Sequence, residues 1–178
     1  MSVRQLAAAA LLLLGALGAR AAEPADDDLA GIAHGGPQLE RALARSASFI
    51  EGDAGPLVSI FIDPDCGFCA RLYADSRRSI SRGRLRVRWI PVAVLGPDSL
   101  AKAGALLEAR DPRHLPRPPS ASSSSLPTRV AIEANNTLLS ALTSGHPATP
   151  VLLMQRADGQ FVARLGLPDD LDAFAAGG

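Results

Sequence analysis

Aromatic side chains are scarce in this sequence, with one tryptophan, one tyrosine and five phenylalanines among 178 residues. Net charge is missing as well, since 18 basic side chains face 18 acidic ones. Both deficits weigh against nucleic acid as a partner, because such surfaces combine a basic patch with stacking aromatics. The cluster Arg82, Arg84, Arg86 and Arg88 alternates along a predicted strand, which is the pattern of a solvated face. Histidine is thin too. His34, His114 and His146 stand singly in loop-like stretches without ligand spacing. Cysteine is limited to Cys66 and Cys69, with two residues between them in "DPDCGFC" after an apolar run.

Long hydrophobic runs are confined to the N-terminus. In "MSVRQLAAAALLLLGALGARAAEP", Arg4 precedes an apolar stretch from Leu6 to Leu17 that ends in small residues. That grammar predicts a signal peptide over residues 1–21, with a mature start at Ala22 or Glu23. A retained anchor is the alternative, but a membrane span needs about 20 apolar residues, and Gly15, Gly18 and Arg20 interrupt this one. Removal of the leader leaves 16 basic against 18 acidic side chains, a nearly neutral protein. Export matters for the cysteines, because disulfides form and persist in an oxidising compartment.

The acidic, small-residue stretch 22–36 reads as a flexible tether. In "PQLERALARSASFI", Leu39, Ala42, Leu43, Ala47 and Ile50 recur at helical spacing, so residues 37–56 are predicted as a linker helix broken by Gly52 to Pro56. A domain is expected over 57–178. "LVSIFI", Leu57 to Ile62, has the continuous apolar, β-branched character of a strand buried on both faces. Cys69, Leu72, Tyr73, Ser76 and Ile80 mark the inner face of a following helix that Gly83 ends. "RLRVRWIPVAV", Arg84 to Val94, alternates like a second strand, giving a βαβ unit with a parallel pair.

"PDSLAKAGALLEARDP" is a predicted helix with Asp98 or Ser99 as its cap. The Pro/Ser-rich stretch 112–127 is expected to be a mobile loop. Helical spacing returns from Thr128 to about Leu142. Two short strands then flank a turn at Ala157, Asp158 and Gly159, and Asp169 to Ala176 closes the chain as a helix. The expected class is α/β: a thioredoxin-like fold with a helical insertion between its βαβ half and its ββα half.

Three readings of the cysteine pair compete. A metal site needs ligands beyond two sulfurs, and the histidines offer no matching spacing. A structural disulfide across a two-residue loop constrains the unfolded chain weakly. A redox pair suits the strand-to-helix junction, where the first sulfur meets unpaired N–H groups and the positive end of the helix dipole. On that reading Cys66 is the nucleophile and Cys69 the resolving thiol.

"FIDPDCGFC", taken with "HPATPVLL" further on, resembles the catalytic domain of the bacterial periplasmic DsbC/DsbG disulfide isomerases. Phe61 and Asp63 match an F-x-D element of that family, Cys66 and Cys69 its dithiol, and Thr149 and Pro150 a Thr-Pro pair joined by a cis bond. Asn135, Leu138 and Leu142 also fall in similar places, and the likeness runs from about Leu39 to Phe174. The resemblance implies a periplasmic thiol-disulfide oxidoreductase of the disulfide reductase/isomerase type, working through the CGFC dithiol; no cofactor is required, and the residues offer no metal site. It also implies Thr149 and Pro150 as a substrate platform, with Gly67 and Phe68 supporting the dithiol. Asp63 would either influence proton transfer at Cys69 or cap the helix, and His146 and Pro147 would line the groove or stand in an ordinary loop.

Exported cysteine-containing proteins are the implied clients, and a redox partner of DsbD type the implied electron source. Family members carry an N-terminal dimerisation domain, whereas only residues 22–56 precede the core strand here. A monomer is therefore expected, or a weak dimer through the helix at Leu39 to Ile50. The alternatives are a sulfenic acid reductase of DsbG type and a thiol-dependent chaperone that holds clients without turnover.

Overall fold

The computed structural model describes residues 36–115 and 124–177. The predicted signal peptide, the tether up to residue 35 and residues 116–123 of the Pro/Ser-rich stretch lie outside the described residues.

The sheet grows from its most apolar segment. β2 (Leu57–Ile62) is buried from Val58 to Ile62, and such a strand needs neighbours on both edges and layers on both faces. β3 (Arg86–Pro91) pairs with it in parallel, Ile60 opposite Trp89. β4 (Val151–Gln155) pairs antiparallel on the other edge, Phe61 opposite Val151. β5 (Phe161–Leu165) returns beside β4 through the expected turn, where Gly159 takes φ +83° and Asp158 Oδ1 accepts the Gln160 N–H at 2.9 Å. β1 (Phe49–Glu51) completes the order β1-β3-β2-β4-β5.

The two faces bury different sets of side chains, because alternate residues of a strand point to opposite sides. On one face Val58, Ile60, Ile62, Val87 and Trp89 meet Cys69 and Leu72 of α2 (Gly67–Ser81) and Phe174 of α5 (Leu171–Ala175). On the other, Phe61, Ile90, Val151 and Leu153 meet Leu39 and Leu43 of α1 (Gly36–Arg45) and Leu139 of α4 (Leu126–Leu142). α3 (Ser99–Ala109) and α4 form the helical insertion between β3 and β4, as expected.

The predicted linker helix over 37–56 is too long. Helical structure stops at Arg45, and Phe49–Glu51 form the edge strand β1, antiparallel to β3. The physical reason is a pair of captures that periodicity does not register. Ser46 Oγ donates to the Leu43 carbonyl at 2.7 Å, and Asn135 of α4 clamps Ala47, accepting its N–H at 3.2 Å and donating to its carbonyl at 2.9 Å. The exposed edge of β3 then takes the following residues into the ladder.

The loop expected over 112–127 is ordered at both ends. Pro112–His114 form a 3₁₀ turn capped by Asp111, Leu115 is fully buried in the core, and Ser125 caps α4 two residues earlier than periodicity suggested. Pro127 sits in the first turn of that helix, where a missing N–H costs nothing. α5 likewise starts at Leu171 and not Asp169, because Asp170 Oδ1 accepts the Asp172 and Ala173 N–H groups.

One glycine fixes how the insertion closes. A Cβ added to Gly104 on α3 would lie 2.4 Å from the side chain of Ser124, at the entry to α4. Gly104→Ala should therefore destabilise the protein by about 1–3 kcal/mol through overpacking, although alanine in an open helix would stabilise by about 1 kcal/mol. Urea unfolding checks the sign.

Candidate active site

The apolar run of β2 ends at Asp63, and the chain turns through Pro64 and Asp65 into α2. Cys66 occupies the cap position of that helix, with extended φ and ψ of −87° and 111°. Its sulfur accepts the Cys69 N–H at 3.2 Å, so the cysteine does the work usually given to Ser or Asp at a helix start. Both cysteines are free thiols. Cys69, one turn further on, is fully buried, while Cys66 retains 6% exposure. Gly67 and Phe68 are exposed beside it, Phe68 by 63%.

From across the sheet comes the segment before β4. Thr149 and Pro150 are joined by a cis bond, and the Thr149 carbonyl accepts from Cys66 Sγ at 3.3 Å. Pro150 is buried, and Thr149 Oγ1 is buried without a partner among the described residues. His146 and Pro147 are exposed in the preceding turn. Pro147 helps line an open groove of about 670 Å³ with Val94, Asn136 and Ala141.

The two thiols are driven apart in acidity. Cys66 is lowered to about 6, chiefly by hydrogen bonding from the Cys69 thiol, against an opposing cost of burial. The Thr149 side chain and the N–H groups of Cys69 and Phe68 lower it further. Cys69 is pushed up, first by burial and then by the neighbouring Cys66 sulfur. One thiol is thus a thiolate near neutral pH and the other keeps its proton.

That asymmetry predicts a pH dependence for the reduced protein. Between about 6 and the ordinary thiol value of 9.0, the unfolded state holds a proton on Cys66 that the folded state has released. Stability should rise with pH across that window and be lost as pH falls through about 6. Above the ordinary value the sign reverses, because the fold keeps the Cys69 proton that the unfolded chain gives up. Urea midpoints of the reduced protein across the window test this; a flat profile would contradict the lowered Cys66.

The sequence-predicted residues Asp63, Cys66, Cys69, Thr149 and Pro150 converge at one end of the sheet, with Gly67 and Phe68 on the rim. Asp63 fits neither of its expected roles in a direct way. Its carboxylate accepts from Asp65 N, Val94 N, Leu95 N and Ser99 Oγ, and neither cysteine is among these partners. Sequence reasoning missed Asp65 and Lys102, which form an ion pair, and saw Ser99 only as a helix cap. The i, i+3 spacing of Ser99 and Lys102 on one face of α3 was the available signal. Among the described residues no three of His, Cys, Asp and Glu stand together as a metal-holding group.

No family model matches the chain. Among solved structures it resembles a periplasmic thioredoxin-like protein from Salmonella enterica serovar Typhimurium, with a TM-score of 0.60 and 16% identity over 79% of this chain and 94% of the other. The catalytic domain of Proteus mirabilis ScsC gives a TM-score of 0.59 and 18% identity over 84% and 93%. The fold is thioredoxin-like.

In sequence, the chain is similar to the thiol:disulfide interchange protein DsbG of Escherichia coli K12, 25% identical over 144 residues covering 75% of this chain and 58% of the relative. It is also similar to DsbG of Pseudomonas aeruginosa PAO1, 27% identical over 143 residues covering 74% and 55%. The chain thus has a thioredoxin-like fold and is similar in sequence to DsbG proteins, and it spans just over half the length of these curated relatives.

Proposed function

We propose that the chain is an exported thiol-disulfide oxidoreductase acting on cysteines of secreted proteins. The observation that carries the reading is the placement of Cys66, a thiolate at a helix cap with a narrow opening to solvent, over a buried and protonated Cys69. In the reductive direction the Cys66 thiolate attacks one sulfur of a client disulfide, and the other client sulfur leaves as a thiolate. Cys69 then gives up its proton and attacks Cys66 Sγ, which releases the second client sulfur and closes the Cys66–Cys69 disulfide. Two electrons pass to the client. A dithiol donor of DsbD type returns them.

Thr149 and Pro150 would receive an extended client segment beside the dithiol, since the Thr149 carbonyl already faces Cys66 Sγ. Exposed Phe68 and the groove bordered by Pro147 and Val94 offer apolar contact on either side. Periplasmic location is supported by the leader pattern of residues 1–21. For the oligomeric state we favour a monomer, because α1 buries Leu39 and Leu43 in its own core and is not free to pair as a linker helix.

Turnover of insulin disulfides with dithiothreitol as the reductant tests the function. Catalysis that requires both cysteines supports it. Stoichiometric binding of reduced insulin chains without acceleration would instead mark a chaperone. Light scattering of the purified chain tests the monomer, and a stable dimer would overturn it.

A further inference from the structure

The sequence offers no reason for the helical insertion to affect the thiols, yet one buried group ties them together. Asp63 is fully buried, and its two oxygens accept four hydrogen bonds: Oδ1 from Asp65 N at 2.8 Å and Ser99 Oγ at 3.0 Å, Oδ2 from Val94 N at 2.7 Å and Leu95 N at 3.0 Å. Its backbone carbonyl also accepts from Cys66 N at 3.0 Å. A single residue therefore holds the turn into α2, the segment leaving β3 and the first turn of α3.

The clamp continues outward on both sides. Ser99 Oγ also lies 2.9 Å from Asp65 Oδ2, and Asp65 pairs with Lys102 one turn along α3. Asn136 of α4 accepts from Ala93 N at 2.8 Å and donates to Ala93 O, while Asn135 donates to Pro91 O at 2.8 Å. The strand exit that presents Val94 and Leu95 to Asp63 is thus itself held by the second insertion helix.

We infer that Asp63 is a positioning residue for the nucleophile, and that through Ser99, Val94 and Leu95 the insertion holds the Cys66 turn in the geometry that caps α2. The proposal deepens the oxidoreductase reading and rests on Cys66 being its nucleophile. Three of the four acceptor positions of the carboxylate face fixed backbone N–H groups, and the fourth faces the Ser99 hydroxyl, whose single proton is shared with Asp65. Asparagine copies this only in part: with its oxygen toward Val94 N and Leu95 N, its NH₂ can donate to Ser99 Oγ but faces the Asp65 N–H and leaves that donor of the turn unpaired. The sign of the effect separates positioning from charge. If Asp63 acted only through its negative charge, removing that charge would ease ionisation of Cys66. If it holds the turn, removing it weakens the N–H contacts to the sulfur and makes ionisation harder.

The charged groups facing the latch are Asp65 of the turn and Lys102 of α3, and Cys69 of α2 faces Cys66 itself. Asp63→Asn and Ser99→Ala should be compared with the unaltered chain by iodoacetamide labelling of the reduced protein over pH, with the labelled residue mapped by mass spectrometry. Buried Trp89, the one tryptophan, reports folding of each variant. The Asp63→Asn midpoint should rise by about one unit, a roughly tenfold slower reaction of Cys66 on the acidic side, and Ser99→Ala should move it the same way by less. Should Asp63→Asn fail to fold, Ser99→Ala carries the test alone.

An unchanged or lowered midpoint in folded variants would overturn the latch while leaving the oxidoreductase reading intact. Labelling of Cys69 in the unaltered chain would overturn that reading first.

Discussion

Cys69→Ser is expected to abolish turnover while leaving the first attack intact, so that the protein accumulates covalently bound to its clients. The structure gives the reason residue by residue. Cys66 keeps its cap position and its 6% exposure without help from the Cys69 sulfur, because the N–H groups of Cys69 and Phe68 belong to the backbone. What disappears is the second nucleophile, which lies fully buried behind the first and alone can reach Cys66 Sγ to release the client. The serine hydroxyl that replaces the Cys69 thiol can still donate to Cys66 Sγ, so the first attack should keep its pH range. Non-reducing gels of the variant mixed with a disulfide-bearing client should show adducts that dithiothreitol dissolves. Cys66→Ser should show none and lose essentially all insulin turnover. Adducts formed by Cys66→Ser in place of Cys69→Ser would reverse the two roles.

Phe61→Ala should bring the largest loss of stability. Phe61 is fully buried at the centre of the sheet, opposite Ile90 on β3 and Val151 on β4, and its ring packs in the cluster that docks α1 and α4. Truncation removes the ring from a cluster of buried neighbours and should cost about 3–5 kcal/mol. Against a total stability of about 5–15 kcal/mol for a domain of this kind, that change would expose a large unfolded fraction under mild urea. Trp89 fluorescence follows the transition. A loss below about 1 kcal/mol would mean that the face packs less tightly than its burial implies. Phe61 stands two residues before Asp63, so the same variant should also loosen the turn that carries Cys66.

The sheet's central strands and α2 were legible because their signals are local and mutually consistent. The run Leu57 to Ile62 has no polar residue except Ser59, and Cys69, Leu72, Tyr73, Ser76 and Ile80 recur at the helical period; the structure buries each of them. The hairpin followed from Asp158–Gly159, since a glycine accepts the positive φ found there. Where reading failed, a distant group intervened. Residues 46–51 keep a helical rhythm, but Asn135, 88 positions away from Ala47, takes the backbone out of the helix and the open edge of β3 collects the rest. Leu115 lies within a Pro/Ser-rich stretch whose composition predicts a loop, yet the core between α2 and α3 has room for it.

By itself, the sequence determined the class of fold and the place of the cysteine pair at a strand-to-helix junction, where the first cysteine meets the helix N–H groups whatever else surrounds it. It also pointed to Thr149–Pro150 as neighbours of the dithiol, through a motif resemblance that bridges the 83 positions from Cys66 to Thr149. Only the tertiary structure decided what Asp63 does. Its partners at Val94, Leu95 and Ser99 lie more than 30 positions downstream, and nothing in local spacing says which donors a buried carboxylate will find. The edge strand β1, the burial of α1 within its own domain and the tie between insertion and thiol were decided in the same way, by hydrogen-bond donors and sheet edges that meet only once the chain has folded.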